Sequence, residues 1–179
     1  MATLAQDILQ FKIIETPIGR MLGCANQEGI CILEFTDDSE KTLKIISNVF
    51  RIELNRSYNP HLENLKIQLD EYFSGLRKEF SLNLDITGSN FQKNVWALLL
   101  QIPYGTTQTY KQQADRLKQP LGIRAMAHAN GQNPLIILVP CHRVIGSNGK
   151  LSGYSGGLWR KRWLLEHERV NSPLGDKLL

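Results

Sequence analysis

Between Asn133 and Val144 the chain reads NPLIILVPCHRV: an unbroken apolar run from Leu135 to Val139, then a proline, a cysteine and a histidine. Such a run, with no polar alternation, suits a strand covered on both faces, so it calls for a sheet with material packed on each side. Pro140 has no N–H to donate and stops the ladder, so Cys141 is expected to leave the sheet at a kink where its sulfur can face a pocket. A free thiol titrates near ~8.5 and is mostly protonated at neutral pH, so a nucleophilic Cys141 needs a base. His142 is adjacent, but neighbours on an extended chain point to opposite faces. Contact therefore requires a non-extended backbone or a bridging water. Taken alone, the pair also reads as a buried structural cysteine beside a strand-capping histidine; the strand, the proline and Arg143 favour the reactive reading.

The N-terminal part of the chain carries strand signals of its own. Leu9 to Glu15, Met21 to Ala25 and Ile30 to Phe35 read as short strands, separated by turns at Pro17-Ile18-Gly19 and at Asn26-Gln27-Glu28-Gly29. Leu62, Leu65, Leu69, Tyr72, Phe73 and Leu76 then recur at helical spacing, which gives an α+β unit with a helix packed on a small sheet. The polar stretch Asp85 to Asn90 marks the domain boundary, so the expected division is 1–88 and 89–179.

Charge changes sign at the same place. Residues 1–90 carry 9 Lys and Arg against 13 Asp and Glu, and residues 91–179 carry 12 against 4, giving net charges of −4 and +8 within the overall +4. A basic half beside an acidic one suggests a polyanion-binding face confined to the C-terminal part, where each neutralised phosphate releases a counterion. A harmlessly basic surface is the plainer alternative. No run is long enough to span a bilayer and no secretion signal precedes the first strand, so the cytosol is the expected compartment, nucleoid-associated in a bacterium. Three cysteines fit a reducing environment. Cys24 and Cys31 flank a hairpin and could supply two metal ligands, but the four histidines offer no convincing second pair, and no metal is expected.

Beyond the boundary the chain turns helical. Phe91, Val95, Leu98, Leu99 and Ile102 mark one amphipathic helix, stopped by Pro103 and Gly105. Thr109 can cap a second from Tyr110 to Leu117, Gln119-Pro120-Leu121-Gly122 makes a turn, and Ile123 to Ala129 forms a third. Two short helices joined in this way read as helix-turn-helix, with Arg124 near the start of the second, where such motifs meet DNA. Gly153-Tyr154-Ser155-Gly156-Gly157 reads as a flexible loop that allows close approach to a ligand, and a helix from Leu158 to Glu168 follows. A carboxylate such as Glu168 near His142 would orient the imidazole and favour the thiolate. Arg160-Lys161-Arg162 reads as a solvated helix face, with a phosphate clamp as the alternative.

FQKNVW, IPYGTTQTY, RAMAHANGQNP, VPCHRVIGSNGKLSGYSGG and KRWLLEHE, in this order and spacing, resemble the O6-alkylguanine-DNA alkyltransferase family. The resemblance is dense from Phe91 to Glu168 and looser before it, where TPIG and LDEYFSG agree. It implies a small RNase H-like N-terminal domain and a mainly helical C-terminal domain that enters the minor groove of DNA by its helix-turn-helix and carries the active-site cysteine.

The implied reaction flips an O6-alkylguanine into a pocket and transfers the alkyl group once, irreversibly, to Cys141. His142 would act as base through a water, Glu168 would orient it, Tyr110 would protonate the departing guanine, and Asn133 would be the hinge behind the recognition helix. Arg124 would fill the gap left by the flipped base. Ala125, Thr109, Arg143, Val144, Tyr154 and Ser155 would contact DNA or the base, with the carbonyls of Cys141 and Val144 accepting the guanine amine. No cofactor is implied. The expected partner is double-stranded DNA bearing O6-alkylguanine, met by a monomer, with cooperative packing on DNA and O4-alkylthymine repair as open alternatives. Two other readings compete: a damage binder without acceptor chemistry, whose known examples have another residue, typically Trp, in place of the cysteine, and a Cys-His hydrolase, which leaves the basic half and the helix-turn-helix unexplained.

Overall fold

The structure, a computed structural model, describes residues 8–50, 53–117 and 122–172. Most of the expected Gln119–Gly122 turn lies outside them. Strands β1 (Ile8–Ile14), β2 (Met21–Ala25) and β3 (Ile30–Phe35) form an antiparallel meander. The second turn is tight because the Asn26 side-chain oxygen accepts from the amides of Glu28 and Gly29. Helix α1 (Ser39–Phe50) then leads to the three-residue strand β4 (Glu53–Asn55), which pairs parallel to β1 and completes a sheet ordered β3-β2-β1-β4.

The sheet is covered on both faces, and β2 is buried throughout. Leu22, Cys24 and Ile32 pack with Ile46 of α1 on one face. Met21, Ala25, Ile30 and Leu33 point the other way, toward Leu62, Leu65 and Leu69 of helix α2 (Pro60–Phe73). Pro60 at its first turn and the Asn59 side chain, accepting from the amides of His61 and Leu62, start α2 where the pattern predicts. Its apolar stripe stops sooner than expected: the helix ends at Phe73, and Leu76 is 81% exposed.

The second half opens with α3 (Asn90–Leu99), whose start is fixed by a reciprocal capping box between Ser89 and Gln92. The two-residue strand β5 (Gln108–Thr109), α4 (Tyr110–Leu117) and α5 (Gly122–Gly131) follow. After them come a single 3₁₀ turn at Cys141–Arg143, the strand β6 (Val144–Ile145), parallel to β5, and α6 (Leu158–Asn171). Among the described residues no helix is long and apolar enough to cross a membrane.

The run from Leu135 to Val139 is buried as expected, but it is not a strand. Leu135 alone bridges to Leu33, with the Leu33 amide donating to Pro134 O at 2.8 Å and the Ile136 amide to Leu33 O at 3.1 Å. The chain then reverses through Ile137 at φ 72°, and the Val139 amide returns to Leu135 O at 2.8 Å. Continuous hydrophobicity here reports burial and not backbone conformation. The free edge of β3 is thereby covered at two points, by this segment and by the residues 83–85 pairing with Ile30. One cluster of buried side chains runs from Ile14 and Leu69 to Val95, Leu135, Val139 and Leu164, so the two halves share a core.

Candidate active site and nucleic-acid interface

Cys141 leaves the buried segment at the kink made by Pro140 and begins the 3₁₀ turn, with its amide bonded to Val139 O at 2.8 Å. The backbone there is not extended, which satisfies the condition for bringing a cysteine and the next histidine into one site. The thiol is 5% exposed and faces a cavity of about 500 Å³ that is also lined by Tyr110, Ile123, Ala127, Asn148, Tyr154 and Ser155. Burial pushes the thiol up, while the Asn133 amide nitrogen, 3.2 Å from Sγ, and the charge of Lys161 pull it down. In its resting form Cys141 therefore holds its proton.

Asn133 is built into this turn. Its Nδ2 also donates to Val139 O at 2.7 Å and its Oδ1 accepts from the Leu135 amide at 3.0 Å, so one side chain clamps both ends of the reversal.

His142 is completely buried. Its Nε2 lies 2.8 Å from Glu168 Oε1, and with a carboxylate opposite, Nε2 carries the proton, leaving Nδ1 as a lone pair without a protein partner. Burial pushes the imidazole below its ordinary range, against the pull of Glu168, so the ring is neutral and able to accept a proton.

Glu168 accepts five hydrogen bonds. Oε1 takes them from Tyr72, His142 and Arg143 Nη2, and Oε2 from Arg143 Nε and the Gly105 amide, at 2.8–3.1 Å. Burial opposes its ionisation, yet His142 and Arg143 outweigh that and hold the carboxyl well below the usual carboxylate range. The expectation that Arg143 contacts DNA or substrate is corrected here. Its guanidinium is buried, with Nε and Nη2 on Glu168 and Nη1 donating to Ile102 O at 2.6 Å, and it does not line the cavity.

Lys161 and Tyr72 join the site although neither is among the residues expected there. Lys161, read as solvated, is fully buried, and its Nζ donates to the carbonyls of Val144, Ser152 and Gly153 at 2.6, 2.8 and 3.3 Å. Three acceptors match the three N–H bonds of an ammonium, although burial brings the lysine down to about 8. Its spacing of three and seven from Leu164 and Glu168, both buried, is the signal that places it on the inner face of α6.

Lys161 occupies one lone pair of Val144 O, and the Val144 amide donates to Cys141 O. Each carbonyl expected to receive a guanine amine keeps its other lone pair. Tyr110 stands at the start of α4, its hydroxyl 3.4 Å from Ser152 O, and burial pushes it up, so it is a donor at neutral pH.

Thr109 caps α4, its Oγ1 accepting from the Gln112 amide at 3.1 Å while Gln112 Oε1 accepts from the Thr109 amide at 2.7 Å. The helices α4 and α5 are clasped by two amide hydrogen bonds between Gln113 and Asn130, at 2.7 and 3.2 Å. Trp96 Nε1 ties α5 to α3 through Ala129 O. This leaves Ile123, Arg124, Ala127 and His128 exposed on α5 beside the cavity mouth, with Ala125 half-buried between them. Neither Arg124 nor Ala125 lines the cavity itself.

The two halves match two family descriptions: "6-O-methylguanine DNA methyltransferase, ribonuclease-like domain" over residues 9–86 and "6-O-methylguanine DNA methyltransferase, DNA binding domain" over residues 90–170. Among curated proteins, the chain is 41% identical over 169 residues to the methylated-DNA–protein-cysteine methyltransferase of Methanosarcina barkeri, covering 91% of this chain and 99% of that one. It is 39% identical over 166 residues to the protein of the same name from Mycolicibacterium paratuberculosis, covering 93% and 96%. Among solved structures, Mycobacterium tuberculosis OGT in complex with DNA superposes with a TM-score of 0.78 at 37% identity, over 93% of this chain and 96% of that one.

Proposed function

This chain belongs to the 6-O-methylguanine DNA methyltransferase family, and from that premise we infer that it repairs DNA by moving the alkyl group of O6-alkylguanine onto Cys141. The observation that carries the residue assignment is the thiol at the cavity, followed in the chain by a buried imidazole whose Nε2 is tied to Glu168 and whose Nδ1 has no partner among the described residues.

In this reading the damaged base is turned out of the duplex into the cavity. His142 Nδ1 takes the thiol proton through one water, and the thiolate attacks the alkyl carbon. A C–S bond forms as the C–O6 bond breaks, and its electrons pass to the purine, which is neutralised by the Tyr110 hydroxyl proton. Glu168 stabilises the imidazolium, and Lys161 places a positive charge near the thiolate. Tyr154 and Ser155 wall the cavity. A thioether is not hydrolysed, so each molecule acts once.

The division into 1–88 and 89–179 is our reading, supported by the capping of α3 at Ser89 and by the reversal of charge at that point. A cytosolic, reducing compartment suits a reaction that requires a free thiol.

Intact mass after incubation with a duplex carrying a single O6-methylguanine tests the reaction. The expected gain is one methyl group, mapped to Cys141 and saturating at one per protein. Cys24 and Cys31 act as internal controls, because burial pushes both thiols up, Cys31 to about 11. Turnover beyond one, or methylation spread over all three cysteines, overturns the assignment.

Arg124 is assigned to the gap left by the flipped base, which its exposure on α5 supports. Arg124→Ala is expected to slow repair in duplex DNA by roughly 10- to 100-fold, the equivalent of a few kcal/mol of unstacking left uncompensated. Its reaction with free O6-benzylguanine stays near wild type. Equal losses on both substrates remove Arg124 from this role.

A further inference from the structure

Two sequence motifs far apart in the chain, TPIG and GYSGG, meet around one buried cation. Arg160 on α6 is 9% exposed. Its Nε donates to Ile18 O at 2.8 Å, its Nη1 to Gly156 O at 3.0 Å and its Nη2 to Asp37 Oδ1 at 3.2 Å. Its Cζ lies over the rings of Phe35 and Trp159, 4.4 and 4.7 Å from their centroids. Ile18, Phe35 and Asp37 belong to the N-terminal half; Gly156 belongs to the loop that walls the cavity.

Both motifs need their glycines for this contact. At Gly19, where φ is +111°, a Cβ would stand 2.8 Å from Arg160 Nη2. At Gly156 it would stand 2.7 Å from the Phe35 ring and 2.8 Å from the Tyr154 ring. The loop is thus pinned at both ends, by Lys161 on the carbonyls of Ser152 and Gly153 and by Arg160 on that of Gly156. A turn from the Gly157 amide to Tyr154 O at 2.9 Å closes it. These bonds hold the loop against the cavity.

We propose that Arg160 is a positioning residue through which the N-terminal half sets the wall formed by Tyr154 and Ser155, and so sets which alkyl groups react with Cys141. This inference rests on the alkyl-transfer reading above. It concerns a residue that does not itself line the cavity. Lysine cannot replace it: an ammonium supplies neither the planar fork that reaches Ile18 O and Gly156 O together nor a flat face to lie over the rings of Phe35 and Trp159.

A protein consumed once per lesion allows folding damage to be separated from positioning, because alkyl groups transferred per protein count the active molecules, while the single-turnover rate describes each of them. Arg160→Ala and Arg160→Lys are compared with wild type on duplexes bearing O6-methylguanine and O6-benzylguanine. Expected for both variants are a saturation yield near one per protein, unchanged duplex affinity, a rate lower by roughly ten-fold or more, and a methyl-to-benzyl rate ratio shifted by about three-fold or more; misplacement by about 1 Å commonly costs ~10²-fold. A reduced yield with unchanged rate and ratio in the active fraction would make Arg160 merely structural and overturn the proposal. If Arg160→Ala does not fold, wild-type rate and ratio in Arg160→Lys overturn it equally. A wild-type protein that transfers no alkyl group sinks the reaction assignment instead, so the two failures are distinguishable.

Discussion

Cys141→Ala is expected to bind duplex DNA carrying O6-methylguanine within about three-fold of wild type and to transfer nothing, a loss as large as the assay can register. Of the three cysteines, Cys141 alone lines the cavity, while Cys24 and Cys31 pack with the α1 face of the sheet. The exposed face of α5 is untouched by the change, so affinity is retained. Cys141→Ser behaves alike, because a hydroxyl is far more weakly acidic than a thiol and a neutral imidazole does not ionise it. Gel-shift affinity and methyl transfer measured on the same preparation decide the matter. Residual transfer above background in Cys141→Ala would show that another group accepts the alkyl.

Glu168→Ala is expected to lose both chemistry and stability. The carboxylate neutralises Arg143, orients His142 and satisfies Tyr72 and the Gly105 amide, all in a buried setting. Removing one partner of a buried pair strands the other, at about 3–5 kcal/mol. For a chain of this size that lowers the midpoint of thermal unfolding by about 6–20 °C.

The pH dependence follows from the same group. Because the folded carboxyl titrates below its unfolded value, the unfolded chain binds the proton first, so this stabilisation is present above about pH 4.3 and drains away as pH falls through the folded value. His142, also pushed down by burial, adds an earlier loss that begins as pH drops below about 6.5, where the unfolded imidazole takes up a proton that the folded one refuses. Denaturant titrations between pH 7.5 and 3.5 should show both losses in wild type and no carboxylate contribution at position 168 in the variant. A variant as stable as wild type at neutral pH contradicts the whole network.

What sequence could and could not show divides along physical lines. Turn chemistry marked β1 to β3, apolar spacing from Phe91 to Ile102 marked α3 and the Thr109 cap marked α4, because those signals act over a few residues. Helix α1 and β4 escaped: the described side chains that α1 packs on the sheet are Leu43 and Ile46, too few to mark a stripe, and β4 is too short to alternate. The reversal at Ile137 was hidden because its side chain is as apolar as a strand requires. Charged residues misled most. Arg143, Arg160 and Lys161 are types that usually face water, and each is buried because a matching set of carbonyl or carboxylate oxygens awaits it, contributed by segments remote in sequence. The cysteine and its neighbours could be read from local order, and Glu168 as the partner of His142; its bonds to Tyr72, Gly105 and Arg143 could not.

The covered edge of β3 has a consequence for how such a chain survives in a crowded cell. An unpaired strand edge invites a neighbour's backbone to add on, which is the first step of ordered aggregation. Residues 83–85 and 134–136 already occupy hydrogen-bonding positions along β3, and the opposite edge, β4, is three residues long and begins with Glu53. Along β3 no unpaired run of useful length is left. The segment that delivers the thiol to its cavity is therefore also the sheet's guard against its own copies.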